Sequence, residues 1–252
     1  MDTKFTADLN CDMGESFGVY HVDNDAAIMP FVTSVNIACG FHAGDPSVIR
    51  KTVRLAIEND VLIGAHPGYQ DLQGFGRREM VLSSDEIYDL VVYQIGALLG
   101  VVKSQGATLH HVKPHGALYN MAAVNPVIAG AIARAVRDID SNLVLYGLSG
   151  SEIINAGRAC GLQVANEVFA DRTYQSNGSL TPRREGNALI EDHQLAAQRA
   201  VKMVKEGLVS SVDGTSLTIA ADTICIHGDG TSAVALAKEI FTVFKNEGIS
   251  VR

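Results

Sequence analysis

The sequence predicts an α/β protein, a single TIM-like β/α barrel of about seven strands spanning residues 1–252. Three observations carry this. Short apolar, β-branched runs alternate with longer helical patterns along the whole chain, the rhythm of strand–helix repeats. No GxGxxG follows the first strand, and GESFGVY does not match it, so the fingerprint of the dinucleotide-binding open sheet is missing. Polar residues also close nearly every strand: Asp12 and Glu15, His42 and Asp45, His66, Lys113 and His115, Glu167 with Asp171 and Arg172, His227 and Asp229. An open sheet concentrates its ligand groups at one switch point, whereas a barrel gathers all its strand ends around one mouth.

In chain order the strands are FTADLNCD (5–12), SVNIACGF (34–41), VLIGAHPG (61–68), TLHHVKPHG (108–116), LVLYGLS (143–149), LQVANEVFA (162–170) and DTICIHGD (222–229). The helix DPSVIRKTVRLAIEND opens on Asp45, an N-cap residue type. SSDEIYDLVVYQIGALLGVVKSQG has Ser83 or Ser84 as cap, acidic residues in its first turn and Gly106 after its end. NPVIAGAIARAVRDID pairs Asn125 with Pro126, a residue favoured at the first helical position. HQLAAQRAVKMVKEG and TSAVALAKEIFTVFKNEG each stop at Gly. No linker or low-complexity segment divides the chain, which predicts one domain.

Residues two apart on a strand share a face. Taking the terminal polar residue as inward gives Asp8/Asn10/Asp12, Asn36/Ala38/Gly40/His42, Leu62/Gly64/His66, His111/Lys113/His115 and Cys225/His227. Val35, Ile37, Ile63, Val112 and Ile226 then face the helices, and His110 falls on the structural face. Small and polar residues lining a narrow interior suit catalysis better than a core.

The bulk numbers exclude several classes. The chain is 47 % hydrophobic and 19 % charged, with a net charge of −8, which argues against a nucleic-acid surface. No run of about 18 apolar residues is visible, so no membrane span is expected, and the N-terminus lacks a signal-peptide pattern. Four scattered cysteines without a CxxC pair fit reduced thiols in a cytoplasm.

Within the mouth, Asp8 or Asp12 could act as general base for water, with the other as metal ligand or substrate anchor. Asn10 and Glu15 complete this acidic strand, and Gly14 and Gly18 let backbone approach a ligand. His42, His66 and His115 follow Gly-rich strand ends and can move protons, polarise a carbonyl, or join Asp12 in holding a divalent metal. The metal set read this way is Asp12, His42 and His66. Lys113 on the same face needs a partner, either a ligand anion or one of the carboxylates. The connections GYQDLQGFGRREM (68–80) and DRTYQSNGSLTPRREGNALI (171–190) read either as floppy surface loops or as lids that bring Arg77, Arg78, Arg172, Arg183 or Arg184 over an anionic substrate. No P-loop is present, so any nucleotide binding is unconventional.

The ordered phrases DLNCDMGESFG, SVNIACGFHAGDP, GAHPGYQDLQGFGRR, HVKPHGALYN, EVFADRTY with GSLTPR, and CIHGD resemble the LamB/YcsF family over essentially the full length. The resemblance implies a seven-stranded barrel like those of polysaccharide deacetylases. It also implies a cytoplasmic hydrolase that opens the lactam of 5-oxo-L-proline (pyroglutamate) to L-glutamate at the cost of ATP, with 5-oxoprolinase subunits B and C as partners. The resemblance assigns no catalytic residues; from residue type and position, Asp8, Asp12, His66, Lys113 and His115 are the catalytic candidates. Asn10, Glu15, His42, Arg77, Arg172 and His227 are the substrate-binding ones. Two other readings stand beside it: a stand-alone metal-dependent amidohydrolase or deacetylase, and a non-catalytic substrate-binding subunit.

Overall fold

Seven parallel strands close into a barrel in the computed structural model, which describes residues 5–22, 24–226 and 232–252. The strands are β1 (Phe5–Met13), β2 (Ser34–Ala38), β3 (Leu62–His66), β4 (Leu109–Val112), β5 (Val144–Leu148) and β6 (Gln163–Phe169), with β9 (Thr223–Ile226) pairing both β6 and β1 to close the ring. A short antiparallel hairpin, β7 (Leu208–Ser210) and β8 (Ser216–Thr218), precedes β9, and β10 (Ile249–Val251) adds to the outer start of β1. Register places Asp12 beside Asn36, Asn36 beside Gly64 and Gly64 beside His111. The inward polar residues therefore meet at matched heights inside the barrel.

Between these strands run α1 (Asp25–Ile28), α2 (Pro46–Glu58), α3 (Ser84–Ser104), α4 (Gly116–Val124), α5 (Pro126–Ile139), α6 (Glu152–Ala159), α7 (His193–Glu206) and α8 (Ala233–Asn246). Their starts follow from side-chain chemistry. Asp45 accepts from the amides of Ser47 and Val48, Ser83 forms a capping box with Glu86, and Asn125 caps a helix whose first residue is Pro126. At the far end of α7, Gly207 takes the left-handed conformation (φ 65°), which glycine adopts without a Cβ penalty. Helix α3 has the length and apolar composition of a membrane span, which the sequence pattern did not predict. Here it lies against β3, α2 and α5 as part of the outer helical layer.

The apolar core is the cylinder between strands and helices. Leu9, Ile37, Val112 and Ile224 on the strands and Val53, Leu98, Ile132 and Ile240 on the helices are all buried. Truncating one such residue to Ala costs about 2–5 kcal/mol. The barrel interior is polar instead. The strands also end earlier than the sequence suggests: β2 stops at Ala38 and β4 at Val112. Consequently His42, Lys113 and His115 stand on the connections just above the strands.

Candidate active site at the C-terminal mouth

The interior is a stack of polar layers, and the two acids of β1 lie in different ones. At the lower end Asp8 accepts hydrogen bonds from the hydroxyls of Thr33 (2.6 Å), Ser34 (2.8 Å), Tyr146 (3.2 Å) and Thr223 (2.5 Å). Four donors satisfy this carboxylate, and it does not line the mouth cavity. Strand alternation put Asp8 on the inward face, and its hydrogen bonds hold it there away from the cavity lining.

Above it Asn10 is fully buried and donates to Thr223 (2.7 Å), and Asn36 donates to both Asn10 Oδ1 and Asp12 Oδ1 (2.8 Å each). His111 Nε2 lies 2.7 Å from Asn36 Oδ1 and, because that amide's nitrogen is already donating, must be the donor. The His111 ring stacks on Tyr146 and fills the space over Gly64, where a Cβ would fall 2.1 Å from Nε2. Burial holds the His111 pKa well below the usual histidine range. Asn10 is thus a bracing residue inside the barrel, enclosed by protein rather than facing a substrate.

At the top, the buried Lys113 ammonium is 2.9 Å from Asp12 Oδ1, 2.7 Å from Glu167 Oε1, 3.2 Å from Asn10 Oδ1 and 3.1 Å from Cys225 Sγ. Burial opposes its charge, but Asp12, Cys225 and Glu167 outweigh burial and raise its pKa well above the ordinary lysine value. Burial likewise opposes ionisation of Asp12, yet His66 and Lys113 prevail and hold this carboxyl well below its usual range. The lysine is therefore committed to two carboxylates and is not left to bind a substrate anion.

Beside Asp12 lies a buried histidine cluster. His66 Nδ1 is 2.7 Å from the Lys113 carbonyl, so Nδ1 carries the hydrogen, and in the neutral ring Nε2 presents a lone pair. His115 Nε2 donates to the Phe75 carbonyl (2.7 Å), which leaves a lone pair on Nδ1. Burial, followed by the neighbouring His66, lowers the pKa of His115 to about 3. These two lone-pair nitrogens face each other at 3.0 Å, with Asp12 Oδ2 3.4 Å from His66 and Glu15 Oε1 3.5 Å from His115. Such an arrangement requires a proton or a cation between the rings. His42 is 1 % exposed, and neither ring nitrogen has a hydrogen-bond partner among the described residues. Its Nε2 is 3.7 Å from Glu15.

Donor atoms of Glu15, His42, His66 and His115 lie within 4.8 Å of one another and could hold a metal ion. Backbone carbonyls fixing the tautomers of His66 and His115 are the usual second layer of such sites. The His42 and His115 rings are stacked nearly parallel (2°), with centroids 3.7 Å apart. Both can bind one ion at zinc distances of about 2.0–2.1 Å only if one ring turns. Glu15, His66 and either of the stacked pair form a compatible donor set. Asp12, assigned to the metal on sequence grounds, is instead taken up by Lys113, Asn36 and the flank of His66.

A cavity of about 480 Å³ opens above this floor. Asp12, Glu15, His66, Lys113 and His115 form its base, Tyr119, Leu148 and Phe169 its wall, and Arg77, Arg172, Arg183 and Arg184 its upper side. Both long connections contribute, as expected of lids. Arg77 lies over the Phe75 ring (4.9 Å), whereas Arg78 pairs with Asp71 inside its own loop. Arg172 is buried and donates to the carbonyls of Thr181 (2.6 Å) and Ala188 (3.3 Å), so much of its fork ties the second loop together. His227 lies outside the described residues. Glu167 closes its strand in the sequence but received no role there. Alternation along QVANEVF sets Glu167 and Phe169 on one face, which was the available signal.

The LamB/YcsF family model matches residues 7–252. The A subunit of 5-oxoprolinase from Geobacillus kaustophilus is 59 % identical, over 98 % of this chain and 96 % of that protein. Its Bacillus subtilis counterpart is also 59 % identical, with the same coverage. The crystal structure of the lactam utilization protein from Thermus thermophilus superposes with a TM-score of 0.93 at 46 % identity, covering 98 % of this chain and 99 % of that one. The T48 deacetylase, at 10 % identity and a TM-score of 0.50 over 98 % of this chain and 87 % of that one, shares the fold alone.

Proposed function

The chain belongs to the LamB/YcsF family, and from that membership and the geometry of the mouth we propose that it opens the lactam ring of 5-oxo-L-proline to give L-glutamate. It does so as the A component of an ATP-dependent 5-oxoprolinase, with subunits B and C as partners, in the cytoplasm. Relatives 59 % identical carry the name of that 5-oxoprolinase component. The observation that carries the chemistry is Asp12, an ionised carboxylate on the floor of the cavity and 3.4 Å from a histidine nitrogen.

An unstrained lactam is a poor electrophile, which gives ATP a reason. Phosphorylating the carbonyl oxygen makes C5 attackable by water. With no P-loop in the sequence, activation is assigned to the partners and hydrolysis to this chain. Asp12 takes the proton of the attacking water, directly or, where no metal holds His66 Nε2, through that ring. The ring nitrogen is protonated as the C5–N bond breaks, and the resulting acyl phosphate is hydrolysed to glutamate and phosphate. Lys113 keeps Asp12 ionised and in place. A divalent metal held by Glu15, His66 and His115 or His42 would supply Lewis acidity and a more acidic water.

The direct test is ATP-dependent release of glutamate from 5-oxoproline by this chain with and without its partners. Release only with all three components and ATP is the expected result. The histidine–Glu15 cluster favours one further reading, a stand-alone metal amidohydrolase. Activity of the isolated chain without ATP, lost in chelator together with stoichiometric metal, would establish that reading instead.

A further inference from the structure

The cavity is electrically divided. Its floor combines one buried ammonium, Lys113, with the carboxylates of Asp12 and Glu167 and with nearby Glu15. A substrate anion gains nothing there, since Lys113 is already shared by two carboxylates. The connection after β6 adds Arg172, Arg183 and Arg184 to the same lining. Arg172 is 6 % exposed. Its Nε and Nη2 are fixed by the Ala188 and Thr181 carbonyls, while Nη1 has no hydrogen-bond partner among the described residues. Burial, followed by the charge of Arg183, lowers the pKa of Arg172 to about 10, with Asp171 as a partial offset. Two like charges at a buried guanidinium are a standing cost that an oxyanion would remove.

We propose that Arg172, Arg183 and Arg184 form an oxyanion subsite that holds the carboxylate or phosphoryl group of the activated lactam. The neutral ring carbon is thereby turned toward Asp12. The inference rests on the ring-opening reading above and names where the substrate's charge sits. Space agrees with a second anionic group. The nine non-hydrogen atoms of 5-oxoproline, each given at most a water's share of about 30 Å³, fill no more than about 270 Å³. The cavity measures about 480 Å³.

The test is calorimetric titration of the isolated full-length chain with inorganic phosphate, with 5-oxoproline and with 2-pyrrolidinone, the same lactam lacking its carboxylate. Wild type should bind phosphate or 5-oxoproline. Arg183→Ala and Arg184→Ala, both on an exposed part of the loop, should weaken that binding about tenfold or more. Asp12→Asn should leave it equal or tighter, and the arginine variants should not change binding of 2-pyrrolidinone. Phosphate competing with 5-oxoproline assigns the subsite to the carboxylate, and simultaneous binding of both assigns it to a phosphoryl group. The proposal is overturned if wild type binds neither anion, if the arginine variants bind as wild type does, or if Asp12→Asn is the variant that loses binding. Because the readout needs neither ATP nor partners, anion binding without ring opening would retain the subsite and remove the activity.

Discussion

Asp8 and Asp12 sit on the same strand, on the same face, four residues apart, and they have opposite fates. Asp8 meets four hydroxyl donors away from the cavity, and every one of these donors is neutral. Asp12 meets a lysine, an amide and a histidine, and it borders a cavity. A carboxylate saturated by rigid donors is structural, because a new ligand has nothing to offer it. One held ionised by a neighbouring ammonium and bordering a cavity can still accept a hydrogen bond or a proton from a bound molecule. The difference between them is depth in the barrel, which no pattern of period two can report.

The largest expected effect on this comparison comes from removing the ammonium at the upper end. Lys113→Met leaves Asp12 and Glu167 buried without a counter-charge, and breaking a buried pair in this way costs about 3–5 kcal/mol. Urea unfolding at neutral pH should show that loss, and acidifying to protonate the carboxylates should shrink it. At the lower end Asp8→Asn leaves hydroxyl donors imperfectly matched, a loss of about 1–3 kcal/mol, with ligand binding at the mouth unchanged in calorimetry.

The smallest effect tests the layer between the two. His111 is neutral in the folded chain because burial lowers its pKa, whereas in the unfolded chain it takes up a proton below about pH 6.5. Its contribution to stability is therefore complete above about pH 6.5 and is lost as pH falls. The slope is at most about 1.4 kcal/mol per pH unit for one proton. His111→Gln should flatten the dependence of urea stability on pH below about 6.5. An unchanged slope would place the proton uptake elsewhere.

The barrel itself was legible from alternation and from the spread of polar residues over successive strand ends. The caps at Asp45, Ser83 and Asn125 were readable as local chemistry and formed as read. Helix α4, GALYNMAAV, was not, because it is apolar on nearly all sides and carries no helical period. The site was legible by face but not by height. Alternation set Asp12, His66, Lys113 and His115 on one face, and they line one cavity, yet it ranked Asp8, which does not line it, with them and gave Glu167 no part. The commitment of Lys113 to two carboxylates depends on ring closure, which sets the end of β4 across from β1 and leaves only β9 between β6 and β1, a proximity the linear sequence does not encode.

The most direct measurement compares the two acids in one assay. Asp8→Asn and Asp12→Asn chains, each combined with wild-type partner subunits, are assayed for ATP-dependent glutamate release from 5-oxoproline. Asp12→Asn should lose about 10²–10⁴-fold in kcat, while Asp8→Asn keeps turnover within a few-fold of wild type after correction for folded protein. Comparable losses in both variants, or turnover unaffected in Asp12→Asn, would contradict the account.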